Sequence, residues 1–242
     1  MNMKQHIPNS LTLFNLLSGC IAIVFAFNNQ LTAASWLIGI AAVFDFFDGF
    51  AARLLKVSSP IGKELDSLAD VVSFGVVPGV IMYKLILLSS NVPLFEVLEI
   101  NIIPFVAFLI PMFSALRLAK FNIDERQTDS FIGLPTPANA ILIASFPLIL
   151  NQESILTGLN ISSISNIFGN FYFLIVLTII LSYLLVAELP LMSLKFKKYN
   201  WGDNRNRYIF LLISLLLLIF FFYTAMPFII VIYFLFSISL QP

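Results

Sequence analysis

Runs of roughly 18 or more apolar residues recur along this sequence, and each is long enough to cross a bilayer as a helix. Of the 242 residues, 60% are hydrophobic, only 11% are charged and 26 are phenylalanine. That balance excludes an ordinary soluble domain. The expected fold class is all-α: a polytopic membrane helical bundle of about eight transmembrane helices, over residues 10–27, 31–55, 63–88, 102–121, 138–150, 171–194, 208–223 and 225–240. Asn9 or Ser10 would cap the first helix, and Pro104 and Pro111 would start and kink the fourth. Residues 1–10 carry a single lysine and no small-residue cleavage site follows, so the first helix reads as retained, not as a signal peptide. The expected organisation is a six-helix core over residues 1–194, then a basic loop and a C-terminal two-helix hairpin over 195–242. No chemistry is expected in that hairpin.

The formal net charge is zero, which says nothing about partners and gives no reason to expect nucleic acid. The distribution of charge says more. In the eight-helix layout Lys4, Arg53, Lys56, Lys63, Arg117, Lys120, Arg126, Lys195, Lys197, Lys198, Arg205 and Arg207 fall on one side. Lys84 alone lies toward the other, where it can snorkel to the interface. By the positive-inside rule the basic side is cytoplasmic, which puts both termini in the cytoplasm. Sparse arginine with abundant Ile, Asn and Phe points to a prokaryote, and hence to its inner membrane. The run Lys195, Lys197, Lys198 reads as an orientation and anionic-lipid patch. The single cysteine, Cys20, excludes an intramolecular disulfide, and the single histidine, His6, excludes a histidine-rich metal site.

Against this hydrocarbon background four aspartates stand close together. Asp45 and Asp48 are spaced i, i+3 and Asp66 and Asp70 i, i+4, so each pair shares one helix face. A turn holding Ser58, Ser59, Pro60 and Gly62 separates the pairs and makes them neighbours on antiparallel helices. Four unpaired carboxylates beside a membrane would repel and be costly to desolvate. Divalent metal resolves the conflict, and hard oxygen ligands suit Mg²⁺ or Mn²⁺. Two such ions about 3.5–4 Å apart would form a clamp for displacement at phosphorus. A divalent-cation transporter is the competing class, since intramembrane aspartates also line ion paths. It predicts carboxylates near the midplane and repeated halves, whereas here they cluster at one mouth with no internal repeat.

Read in full, the motif is Asp45-x-x-Asp48-Gly49-x-x-Ala52-Arg53, eight residues, Gly62-x-x-x-Asp66-x-x-x-Asp70. Gly49 lets a diphosphate approach the backbone, Ala52 leaves room for a flat base, Arg53 offers a planar fork for phosphate oxygens, and Gly62 frees the turn. All eight positions match the signature of the CDP-alcohol phosphatidyltransferases, which this chain resembles. The stretches at 66–78, 115–122 and 131–140, with Ile7-Pro8-Asn9, resemble the serine-using subfamily, the membrane-embedded phosphatidylserine synthases. That similarity covers about the first 150 residues, the remainder matching only in hydropathy. Lys120 stands where the pattern expects arginine, and Thr136 and Asn139 stand where it expects small residues.

The resemblance implies transfer of a phosphatidyl group from CDP-diacylglycerol to L-serine, with release of CMP. Asp45, Asp48 and Asp66 would hold one metal, and Asp66 and Asp70 would close on a second. Asp70 would also take the proton of the serine hydroxyl. Asn9, Thr12, Gly49, Arg53 and Ser59 would receive the nucleotide and diphosphate. Arg117 and Lys120, at i, i+3 on one face, would provide the acceptor's cation, with Arg117 on the serine carboxylate. Membrane lipids are implied partners, and a homodimer is an option carried by the resemblance alone. A sister transferase acting on glycerol 3-phosphate or an inositol phosphate is the nearest alternative, but such acceptors call for more cations than Arg117 and Lys120.

Overall fold

A computed structural model describes residues 3–124, 131–152, 166–192 and 200–239. Among the described residues, eight principal helices form an all-α bundle: α1 His6–Phe27, α2 Leu31–Leu55, α3 Pro60–Leu87, α4 Leu109–Ile123, α5 Thr136–Gln152, α6 Phe171–Val186, α7 Trp201–Phe221 and α8 Ala225–Ser239. Four helical stretches among the described residues, His6–Phe27, Pro60–Leu87, Ile103–Ile123 and Asn204–Ser237, are long and apolar enough to cross a membrane. Outward faces carry Leu13, Phe14, Leu17 and Val24 on α1 and Leu212, Leu215, Ile219 and Phe220 on α7. Such surfaces would aggregate in water and are at home in lipid.

Several helix ends differ from the sequence expectation. The first helix starts at His6, its N-cap position is Gln5, and no side chain caps it. Asn9 and Ser10 therefore lie inside the helix, and Ser10 Oγ donates back to the His6 carbonyl at 2.8 Å. Pro8 does not delay the start, because a proline in the first turn loses no intrahelical hydrogen bond. The third helix starts at Pro60, where Ser59 Oγ accepts from Gly62 N at 3.0 Å. A 3-10 segment, Ile103–Phe108, precedes α4 and contains Pro104; Pro111 falls in the first turn of α4. The sixth helix stops at Val186, where Ala187 turns extended and the chain pairs Pro190–Leu191 with Phe131–Ile132. The seventh begins at Trp201, so Arg205 and Arg207 are helical and not part of a loop. Arg126, Lys195, Lys197 and Lys198 lie outside the described residues.

Packing at the centre depends on small residues. The first helix lies along α2 and also against the start of α3, whereas α2 and Pro60–Asp70 scarcely approach each other. The acidic side chains of α2 and α3 meet as expected, while α1 fills the angle between the two backbones at the start of α3. Ala22, Ala26, Ala34 and Ala41 are fully buried, which allows α1 and α2 to approach closely. Immediately after Asp70 the third helix loosens into a π-helical turn, Val71–Val76. A Cβ on Gly19 would come 2.7 Å from Ser73 Oγ, and one on Gly75 would come 3.1 Å from Ser114 Cβ. On Gly79 it would come 2.7 Å from Pro111 Cδ. Gly75 and Gly79, four apart, thus form a small-residue seam that seats α4 on α3. At the opposite end Lys84 Nζ donates to the Phe27 carbonyl at 3.1 Å and to Asn29 Oδ1 at 3.0 Å, capping the C-terminus of α1.

The seam generates a test of sign. Helix propensity alone would make Gly→Ala stabilising by about 1 kcal/mol. Gly39→Ala, whose added Cβ meets nothing within 4 Å, is expected to show that gain. Gly79→Ala is expected to lose about 1–3 kcal/mol by overpacking against the Pro111 ring. Unfolding of the detergent-solubilised protein by SDS titration reads both.

Candidate active site

The acidic motif is drawn together from two helices across the flank of a third. Asp45 and Asp48 project from α2 and Asp66 from α3, and each offers a carboxylate oxygen within 4.8 Å of the others. Asp45 and Asp48 lie ten and seven residues before the end of α2 and Asp66 six after the start of α3, so the cluster sits roughly 9–15 Å below that end of the bundle. Asp66 Oδ1 is buried with no hydrogen-bond partner. Among the described residues no lysine or arginine forms an ion pair with any of the three. An all-oxygen, unneutralised donor set with an orphaned buried acceptor fits a hard divalent cation.

The first helix supplies the residues that hold these carboxylates in place. Thr12 Oγ1 lies 2.7 Å from Asp48 Oδ2 and 3.1 Å from the Pro8 carbonyl. With one proton to give, it donates preferentially to the charged acceptor. Asn15, one turn further, donates from Nδ2 to Asp70 Oδ1 at 3.2 Å. The Asn15 carbonyl in turn accepts from Ser73 Oγ at 3.0 Å, which fastens α1 to the π-helical turn. Asp70 is buried one turn deeper than Asp66 and outside the three-carboxylate group. Asn15 has no place in the eight-position motif. Its only trace in the sequence is its spacing of three from Thr12, which continues a polar stripe, Asn9-Thr12-Asn15, along an apolar helix.

Above the carboxylates opens a cavity of about 250 Å³ whose walls come from α1, α2, the 57–59 turn and α3. Asn9, Thr12, Gly49 and Ser59 all line it, as do Ala52, Asp48 and Asp66. Arg53 is exposed and does not line it; its Nη1 folds back to 3.6 Å from where a Gly49 Cβ would be. Gly62 has a different reason from the one expected. It lies within the first turn of α3 without a positive φ, and a Cβ there would approach Asn9 Oδ1 at 3.1 Å and Ser59 Oγ at 3.0 Å. Glycine is needed for close packing against the cavity floor and not for a turn.

The structure separates Arg117 and Lys120, two residues expected to act together on the acceptor. Arg117 is buried at 7% exposure with Nε unpaired, while Lys120, near the end of α4, is exposed. The two still lie near one face, but Lys120 sits in the last turn of α4, beyond the packed interior, so of the pair only Arg117 is buried. Thr136 and Asn139, on the first turn of α5, are fully buried, and Thr136 Oγ1 and both Asn139 side-chain polar atoms have no hydrogen-bond partner.

A membrane-embedded helical bundle with clustered carboxylates beneath a polar cavity is the architecture of a lipid-active phosphotransferase. The chain belongs to the CDP-alcohol phosphatidyltransferase family, whose model matches residues 5–184. It is similar to the CDP-diacylglycerol–serine O-phosphatidyltransferase of Helicobacter pylori, at 32% identity over 233 residues, covering 96% of this chain and 89% of that one. The enzymes of the same name from Bacillus subtilis and Methanocaldococcus jannaschii are 34% and 36% identical, over 59% and 60% of this chain and 76% and 62% of theirs. The likeness thus reaches well past the first 150 residues. One outcome follows from the hydrogen bonds alone: Thr12→Val, which releases Asp48, is expected to weaken Mn²⁺ binding about ten-fold, read by the free-ion EPR signal.

Proposed function

We propose that this protein transfers the phosphatidyl group of CDP-diacylglycerol to L-serine, giving phosphatidylserine and CMP. The observation that carries the reading is the convergence of Asp45, Asp48 and Asp66 at a 250 Å³ cavity that Gly49, Ala52 and Gly62 of the same motif help to wall. The names of the similar enzymes support the choice of donor and acceptor. The proposal includes two divalent ions, Mg²⁺ or Mn²⁺, held by Asp45, Asp48 and Asp66 and by Asp66 with Asp70. Bound there, the metal would neutralise diphosphate charge and the charge developing on the leaving CMP.

The chain's own residues account for the remaining work. Asn9, Ser59 and the open backbone at Gly49 receive the nucleotide, Thr12 steadies Asp48, and Arg53 closes over the diphosphate from the rim. Asp70, oriented by Asn15, takes the proton from the serine hydroxyl as its oxygen bonds to phosphorus and the bond to CMP breaks. Arg117 pairs with the serine carboxylate and so turns the hydroxyl toward Asp70. Holding both partners in line is the larger part of the catalysis, because the displacement is mainly a matter of positioning and charge. The site faces the cytosol of a prokaryotic inner membrane, with both termini on that side, by the basic residues at the acidic end of the bundle. A homodimer is retained in the proposal on family resemblance.

Purified protein supplied with CDP-diacylglycerol, Mn²⁺ and labelled serine is expected to form labelled lipid and release CMP. Labelled glycerol 3-phosphate and inositol phosphate are expected to give none. Lipid from either of those overturns the acceptor, and absence of CMP release with all three overturns the transferase. Asp70→Asn is expected to lower kcat by roughly 10²–10⁴ while CDP-diacylglycerol still binds. In steady-state kinetics, Arg117→Lys is expected to raise the serine KM about ten-fold with the donor KM unchanged, the planar fork having been lost.

A further inference from the structure

The connection between α3 and α4 is a small β-hairpin with an exposed apolar face. Glu96–Val97 pairs antiparallel with Ile100–Asn101, Val97 opposite Ile100, which leaves Leu98 and Glu99 as a two-residue loop. Both have positive φ, 51° and 64°. That is the backbone of a type I′ turn, where asparagine and glycine are favoured and a leucine is strained. Leucine stands there nonetheless, 90% exposed. The base is tied down. Ile102 N donates to the Phe95 carbonyl at 3.0 Å and continues the ladder. Asn101 Oδ1 accepts from Phe95 N at 3.4 Å and from Ile103 N at 3.2 Å, while its Nδ2 donates to the Pro93 carbonyl at 2.9 Å. Val92 and Ile103 then pack on the core. Successive strand residues point to opposite faces, so Phe95, Val97 and Ile100, all exposed, share one face and Glu96 and Asn101 the other.

Its place in the bundle says what meets the apolar face. The stretches it joins, Pro60–Leu87 and Ile103–Ile123, are each long and apolar enough to cross a bilayer. The β-hairpin therefore lies where they leave the membrane, at the end opposite the acidic cluster. Tyr83, Phe105 and Phe108 of these stretches meet beside that end, ring centroids 5.6 to 5.8 Å apart, and Lys84 follows Tyr83. Aromatic rings and a snorkelling lysine mark the boundary between hydrocarbon and water. Between Lys84 and Arg117 the only charged residues are Glu96 and Glu99, so attraction to anionic lipid plays no part. What remains is removal of apolar surface from water. The patch of Phe95, Val97, Leu98 and Ile100 falls short of the roughly 800 Å² per partner that a stable protein interface buries, which favours lipid over a second copy of the chain.

We propose that this β-hairpin is an interfacial anchor: its Phe95, Val97 and Ile100 face, with Leu98 at the tip, sits among the headgroups and upper acyl chains of the leaflet opposite the acidic site. Glu96 and Asn101 then face water. The strained leucine at the turn keeps an apolar side chain at the farthest point of the hairpin, where it reaches lipid. The anchor holds the ends of α3 and α4 at the membrane surface by an apolar contact that is independent of lipid charge.

The full-length protein, one copy per phosphatidylcholine nanodisc and carrying Cys20→Ala, tests the anchor with an environment-sensitive dye. The dye is attached through Leu98→Cys or, on the opposite face, through Glu96→Cys. At position 98 its emission is expected to shift to the blue, to be quenched by lipids bearing a nitroxide near the headgroup, and to lose quenching by iodide. At position 96 it is expected to stay open to iodide, and added phosphatidylglycerol is expected to change neither result. Equal iodide quenching at the two positions overturns the proposal. So does shielding at position 98 that needs two copies per disc, which marks an interface between copies, or that needs phosphatidylglycerol. If the labelled variants do not fold, the wild type decides, in nanodiscs of phosphatidylcholine with a diazirine high on its acyl chain. Adducts between Leu94 and Ile100 are expected, and adducts confined to the helices overturn the anchor.

Discussion

Like charges held close in a poorly polarisable interior repel, and the bundle is arranged around that fact. At 4.8 Å and an effective dielectric near 20, each pair of ionised carboxylates in the Asp45, Asp48, Asp66 group costs about 3 kcal/mol. Removal from water adds to the cost. A chain that only needed to fold would replace these groups with alanine or leucine. Their retention, with one oxygen orphaned and, among the described residues, no lysine or arginine in an ion pair with them, makes sense when a divalent ion and an anionic substrate complete the arrangement.

The scaffold that holds the carboxylates is less obvious than the carboxylates themselves. The first helix keeps α2 and the start of α3 apart and touches both, so the gap between them remains open as a cavity. Its polar stripe fixes Asp48 through Thr12 and Asp70 through Asn15. The π-helical turn after Asp70 and the glycine seam behind it bring α4 close, and with it Arg117. A shift of about 1 Å in any of these contacts would move a reacting group out of line, which is why tight glycine packing lies directly behind the site.

The terminal hairpin illustrates how environment changes the meaning of an apolar helix. Most of α7 and α8 faces outward, as a membrane anchor would. Yet Phe210 and Tyr233 turn inward, close a small core with Leu191, and wall a cavity against the first turns of α5. Hydropathy averages over the whole circumference of a helix and cannot separate the inward-facing side from the lipid-facing one.

Much of this was legible in the residues. Apolar runs of bilayer length determined an all-α membrane bundle, and the i, i+3 and i, i+4 aspartates, with the glycines and arginine between them, determined the chemistry and the family. Helix α2 was placed to the residue, because Asn-Asn-Gln before it and Lys-Val-Ser-Ser-Pro after it leave no other boundary. What the sequence could not decide was everything that depends on which helices lie side by side. Only the tertiary structure put α1 between the two acidic helices, made Asn15 a partner of Asp70, turned Lys120 outward while burying Arg117, and gave Gly62 a neighbour in Asn9. The physical reason is that spacing along a chain specifies which side chains share a face, whereas the packing of whole helices selects what that face meets.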